Sequence, residues 1–358
     1  MGRLTALVHG IVLFTALYSA HGMASAPTLI RVGVASVGVG GKPVSGGSIG
    51  SLAQTKGTID GEFKKQGIRV EWSFFKGAGP AVNEAIANGQ LDFAFQGDLP
   101  AIIAKANGLK TKLILATDKT TPTYLAVPSN STASSIEDLK GKKVAIFKGT
   151  NLQLAAIKVY EELGLTEKDF KTINMDKSTT ETALTTRDID AGWFGPEVFP
   201  LVDKGIARIL YTTKGKSPWL VRQSHVLVTE AFEKKYPAEV QRFVNAVLKE
   251  AIWAADESHR EEVLRIWAKS GVSYSSYKQD WEGDLFKDRG NPLLDEFFIN
   301  HYQEATDASL KYRLIRKSFV VPSWFEGKYV TEGLKQLGAT DLWYPRDAKG
   351  NVIGEKKA

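Results

Sequence analysis

Four turns in this chain combine glycine, proline and hydroxyl or amide side chains in the way that leaves backbone N–H groups unspent at the start of a helix. In chain order they are Gly47-Ser48-Ile49-Gly50, Gly77-Ala78-Gly79-Pro80, Gln96-Gly97-Asp98 and Gly149-Thr150-Asn151. The chemistry they suit is anion binding, because helix N-termini favour negative charge and low side-chain bulk lets the backbone approach a ligand. The first turn also fits G-x-S-x-G over Gly46 to Gly50, the pattern of a hydrolase elbow with Ser48 as nucleophile. An elbow turns directly off a strand, whereas here about ten loop residues precede the serine. A triad also needs a histidine, and beyond the N-terminal segment the chain offers His225, His259 and His301. Ser48 is therefore read first as an N-cap facing a cleft, next as a purely structural cap, and last as a nucleophile.

Other chemistries fall away on composition. Gly41-Lys42 is followed by Pro43, and Ser36 stands where a P-loop needs its first glycine, so the glycine-rich loop before Ser48 is not a Walker motif. Cysteine is absent, which removes thiol nucleophiles, thiolate metal sites, iron–sulfur clusters, disulfides and a lipid-modified cysteine together. No cofactor and no metal is implied. The net charge of +6 fits an anion-binding surface, but the densest basic run, Lys140 to Lys143, is broken by Gly141 and reads as a solvated turn rather than a nucleic-acid tract. Trp193, beside a Gly195-Pro196 break at a strand end, is read as a cleft wall, and Phe194 as core or wall. Arg222 is read as a surface residue in preference to a bidentate anion ligand.

The elements that position these turns are legible in hydrophobic spacing. From Phe74 to Gly108 the pattern is strand, Gly-Pro turn, helix with Val82, Ala85 and Ile86 on one face, and a stop at Asn88-Gly89. It then repeats, with a strand from Leu91 to Phe95, the Gln96-Gly97-Asp98 turn, and a helix from Leu99 to Ala106. Two such turns in succession place free N–H groups at the carboxyl ends of neighbouring strands, where open α/β sheets bind ligands. With 358 residues, 43% of them hydrophobic, the chain can fill two α/β lobes. The polar cluster Lys119-Thr120-Thr121-Pro122-Thr123 suggests a first crossing between lobes, and Thr213 to Pro218 a return. At the N-terminus, Arg3, an apolar stretch from Leu4 to Ala20 and Ala24-Ser25-Ala26 read as a secretory signal over residues 1–26, cleaved after Ala24 or Ala26. The expected division is a first lobe over 27–119 and 215–348, a second over 120–214, and a polar tail from 349 to 358.

Gly47-Ser48-Ile49-Gly50, Ala78-Gly79-Pro80, Gly97-Asp98-Leu99-Pro100, Asp138-Leu139-Lys140-Gly141-Lys142-Lys143-Val144, Gly149-Thr150 and Asp190-Ala191 before an aromatic strand end occur in that order. In this ordered set the chain resembles the periplasmic substrate-binding proteins of ABC importers for aliphatic sulfonates, taurine and sulfate esters, a group that includes nitrate and pyrimidine-precursor binders. The resemblance implies a type II two-lobed α/β binding protein with two crossings, exported to the periplasm, monomeric, and working with a membrane permease. It further implies a carrier of a small organic anion rather than an enzyme. It assigns anion contacts to Ser48, Ile49, Gly79, Pro80, Gly97, Asp98, Gly149 and Thr150. The flanking Gly50, Gln96 and Asn151, Thr120 at the first crossing, and the walls Trp193 and Phe194 complete the candidate site. Two departures stand out. Val39 to Ser45 looks like an insertion at the entrance, and Gly195-Pro196-Glu197 replaces the family's Trp-Asp-Pro or Trp-Glu-Pro, so no contact is carried over to Glu197.

Overall fold

In the computed structural model, which describes residues 26–354, ten strands form two five-stranded sheets. The expected export signal, but for its last residue, and the final four residues of the expected tail lie outside the described residues. Strands β1 (Leu29–Val34), β2 (Arg69–Phe74), β3 (Phe93–Gly97) and β4 (Thr111–Thr121) belong to the first sheet. The second sheet contains β5 (Tyr124–Pro128), β6 (Lys143–Ile146), β7 (Lys171–Asn174), β8 (Ala191–Phe194) and β9 (Ala207–Thr212), after which β10 (Arg222–Thr229) rejoins the first. This is the two-lobed α/β architecture that the spacing predicts.

The strand orders are β2-β1-β3-β10-β4 and β7-β6-β8-β5-β9. Both sheets start from three parallel strands and accept an antiparallel strand, delivered by a crossing, inside the edge strand. The two halves are thus built alike, and each exposes the carboxyl ends of its parallel strands toward its helix N-termini. Central strands are apolar on both faces because helices cover both: Phe93 of β3 stacks on Phe243 at 4.0 Å, and Phe243 belongs to the buried Val240, Val244, Val247 and Leu248 stripe of the helix Pro237–Ala255.

The two crossings lie side by side and are bonded to each other. Thr123 donates its N–H to Thr213 Oγ1 at 2.9 Å, and Thr213 returns its N–H to the Thr123 carbonyl at 3.1 Å. Arg222 Nη2 donates to the Pro122 carbonyl at 2.5 Å, so the first residue of β10 is fastened to the other crossing. Short extended crossings of this kind concentrate any change of lobe angle in a few residues.

Candidate functional site

Between the sheets lies a cavity of about 500 Å³, within the range of small-molecule sites. Of the residues expected at the site, Ser48, Gly50, Gly79, Gln96, Gly97, Thr150 and Asn151 line it. They come from both lobes. Ser48 caps the helix Ile49–Thr55 through a reciprocal capping box: Ser51 donates its N–H to Ser48 Oγ at 3.2 Å, and Ser48 donates its own N–H to Ser51 Oγ at 3.0 Å. Among the described residues no histidine lines the cavity, and the hydrogen-bond partner of Ser48 Oγ is Ser51. In the second lobe, Thr150 Oγ1 donates to the Phe147 carbonyl at 2.7 Å, which leaves the first-turn N–H groups of Asn151 and Leu152 without intrahelical partners at the cavity wall.

Other expected residues mark where the lobes meet instead. A Cβ on Gly149 would stand 3.0 Å from Pro80 Cγ, and one on Gly97 would stand 2.5 Å from Asn151 Nδ2, so glycine at both positions permits close approach across the cleft. Beside them Lys76, just after β2, pairs with Asp176 of the second lobe at 3.4 Å. The cleft is shut along this edge.

The remaining candidates are corrected by the structure. Trp193 is only 2% exposed, and its Nε1 donates to Tyr160 Oη at 2.7 Å inside the second lobe's core. Phe194, next along β8, packs on the opposite face with Tyr124, Leu184 and Val198, as strand alternation requires. Neither reaches the cavity, whose aromatic wall is Phe95, Phe147 and Tyr277. Asp98 turns inward: its carboxylate accepts the N–H of Leu99 at 2.6 Å and that of Gln223 at 3.0 Å, tying a helix start to β10 and keeping an anion away from the cleft. Ile49 is core. Thr120 borders a small pocket behind the crossings, and its neighbour Thr121 faces the main cavity.

Charged residues missing from the sequence-based list dominate the wall. Arg222 is buried and lines the cavity, overturning the surface reading. Glu197 lines it as well, its Oε1 accepting the Gly195 N–H at 3.0 Å and lying 3.9 Å from Lys177 Nζ. Glu181 faces the same side; burial, with the nearby Glu197 charge, pushes its carboxyl up to about 7. At the far corner Arg289 bonds Asp118 at 3.0 Å, Asp280 at 2.8 Å and Asp284 at 3.2 Å, with its guanidinium 3.9 Å above the Trp281 ring. Those three carboxylates hold Arg289 charged despite burial. The one available signal for Arg222 was the polar run Arg222-Gln223-Ser224-His225 inside an otherwise apolar strand.

The loop expected as an insertion does shape the entrance. Val37 to Gly41 and Ser45 line the cavity, Val39 with its side chain half-exposed, and the Val39 N–H is held by the Ser270 carbonyl at 2.7 Å.

With this geometry in place, the family described as NMT1/THI5 like matches residues 52–260. The chain belongs to that family. It is 30% identical to a candidate periplasmic sulfonate-binding protein of a sulfonate ABC transporter from Methylobacillus flagellatus KT, with a TM-score of 0.76, covering 90% of this chain and 98% of that one. A candidate aliphatic sulfonates-binding protein of Bacillus subtilis is 26% identical over 290 residues, 80% of this chain and 84% of its own length. The alkanesulfonate-binding protein of Xanthomonas axonopodis pv. citri, solved bound to MOPS, shares the fold at 21% identity and a TM-score of 0.70, covering 85% of this chain and all of that one (100%). Among the described residues no helix is long and apolar enough to cross a membrane.

Proposed function

We propose that this chain is the solute-binding component of an ABC importer, exported to the periplasm as a monomer, which captures an organic sulfonate or sulfate ester between its lobes and presents it to a membrane permease. The observation that carries this reading is one cavity walled by helix starts from both lobes, with the Arg222 guanidinium in its wall and an interlobe ion pair, Lys76 to Asp176, at its edge. A sulfonate keeps its charge at all ordinary pH values, so N–H dipoles and a guanidinium can hold it with no proton transfer. Phe95, Phe147 and Tyr277 suit the organic remainder. The functional lobes are taken as 27–119 with 215–348, and 120–214.

The test is isothermal titration and thermal shift of the exported protein with a panel of alkanesulfonates, sulfate esters, sulfate and nitrate. Tight binding confined to organic sulfonates or sulfate esters supports the reading. A response only to nitrate or sulfate, or to none of the panel, overturns it.

A further inference from the structure

The cavity wall changes character at the entrance. Its charges and helix-start dipoles come from the crossings and from the turns at the strand ends, Arg222, Glu197, Ser48 and Thr150 among them. The loop after β1 lines the cavity over 37–41 and 45–47 with valine, glycine and serine alone, so this part of the wall carries no charge. On it, Val39 is 54% exposed. Among the described residues seven large apolar side chains are left exposed, and of these Val39 alone lines the cavity. Its isopropyl group is open apolar surface that a ligand can cover.

The seat of that side chain is built. Val39 donates its N–H to the Ser270 carbonyl at 2.7 Å, and inside the loop Gly38 donates to the Lys42 carbonyl at 2.9 Å and Gly41 to that of Gly38 at 3.0 Å. A Cβ on Gly38 would stand 2.5 Å from the Ser270 carbonyl oxygen, and one on Gly271, whose φ is +72° or more at +93°, would stand 2.7 Å from Val39 Cβ. Glycine on each side of the contact therefore lets the loop lie directly on the 270–272 turn. Ser270 is fixed in its turn: it is buried, and its Oγ lies 3.0 Å from Tyr277 Oη, on the ring already placed in the cavity's aromatic wall. Val272, two residues beyond Ser270, lines the cavity as well.

We infer that Val39 is a specificity-determining residue, held by the docked loop where the end of the ligand's organic tail comes to rest. This rests on the sulfonate reading above and adds to it the element that selects among tails. With the anionic head at the helix starts, the tail is left the uncharged part of the lining, and a cavity of about 500 Å³ has room for more than a bare anion. A tail that stops short leaves the Val39 isopropyl group in water. Each methylene that covers it takes apolar surface of both partners out of water, so the loop rewards length.

The test is titration calorimetry of the exported protein with the straight-chain alkanesulfonates from ethanesulfonate to octanesulfonate. In the unmodified protein affinity should rise with chain length, by up to about fourfold per methylene. The readout is the ratio of affinities between the longest member and the shortest that binds, which cancels any general change in affinity or stability within one protein. In Val39→Ser this ratio should fall about three- to tenfold, as expected when roughly half a valine side chain is no longer covered, while the shortest member stays within about twofold of its original affinity. Val320→Ser, at an apolar side chain exposed away from the cavity, should leave the ratio unchanged. If affinity does not depend on length, if Val39→Ser weakens short and long members alike or neither, or if Val320→Ser lowers the ratio as much, the inference fails while sulfonate capture stands. If no member of the series binds, both fall.

Discussion

Two buried arginines face the same cavity from surroundings of opposite character. Arg289 is surrounded by three carboxylates and an indole face, so each edge of its guanidinium is matched. Arg222 has one carbonyl acceptor and, among the described residues, no ion pair and no partner for Nε, with Glu197, Asp280 and Asp118 acting on it only from longer range. Burying a guanidinium costs several kcal/mol, and only well-placed partners return that energy. The Arg289 corner is settled within the folded chain: Asp280 accepts from Tyr124 Oη at 2.9 Å, and Lys214 Nζ holds the Gln279 and Asp280 carbonyls at 2.9 and 2.6 Å, joining both crossings to the C-terminal helices. Arg222 is fastened to the first crossing by a single hydrogen bond and lines the cavity beside it. One arginine sits in a closed ionic corner, and the other, under the proposed function, is the one expected to respond to a ligand.

Removing each arginine should separate these roles, and the larger loss belongs to Arg289. Arg289→Met leaves Asp118 and Asp280 buried without a counter-charge, and breaking a buried ion pair from one side costs roughly 3–5 kcal/mol. Urea unfolding of the ligand-free protein should show a correspondingly lower midpoint. A loss below about 1 kcal/mol, the worth of a solvated pair, would contradict a structural corner. Arg222→Gln should do the reverse. Hydrogen bonds to charged groups are worth about 1.5–3 kcal/mol, so sulfonate affinity should fall about 10- to 150-fold, with a smaller drop in the urea midpoint than Arg289→Met produces. Unchanged affinity would make Arg222 a second structural arginine.

The same contrast explains what could be read from the sequence. Turns that must begin helices at strand ends, such as Ala78-Gly79-Pro80 and Gly97-Asp98, are written in glycine, proline and capping residues, and local spacing suffices to find them. Whether a side chain there points into the cleft depends on its partner elsewhere. Asp98 turns inward because the Gln223 N–H, 125 residues away, donates to its carboxylate. Trp193 looked like a wall because it precedes a Gly-Pro break, yet the decisive fact is Tyr160 Oη on a different element. Arg222 and Glu197 were missed for the same reason: their environment is made by the crossing of two lobes, a geometry without a local signature.

Titration offers a milder test, since groups at the cavity and groups behind it pull in opposite directions. His225 lies behind the first sheet, where burial pushes its imidazole down to about 3, and burial with the Lys158 charge lowers His301 well below the usual range. In the unfolded chain these imidazoles take up protons near 6.5, so below that pH the unfolded state binds more protons and stability falls as pH falls. Glu181 acts oppositely. Its folded carboxyl titrates at about 7 instead of 4.5, so the folded state holds the extra proton and this contribution declines as pH rises through that window. Urea midpoints across this range should therefore rise more steeply with pH in Glu181→Gln than in the unmodified protein, by no more than about 1.4 kcal/mol per pH unit for one proton. Parallel profiles would mean that Glu181 titrates like an exposed carboxyl.

The smallest effect concerns the two aromatic sets. Trp193→Phe keeps an aromatic ring in the second lobe's core but removes the bond to Tyr160 Oη, a loss of about 0.5–1.5 kcal/mol from the urea midpoint. Because Trp193 lies behind its sheet, sulfonate affinity should stay within about twofold of the unmodified value, since a core change of this size leaves the wall atoms in place. Tyr277→Leu gives the matching case from the wall. Its ring packs beside Gly46 and Gly47 at the cavity, so affinity should fall more than in Trp193→Phe even when the two variants unfold at similar urea concentrations. If Trp193→Phe weakens binding as much as Tyr277→Leu does, the second sheet does not insulate the cleft from its own core, and the separation between hinge, core and ligand wall has to be redrawn.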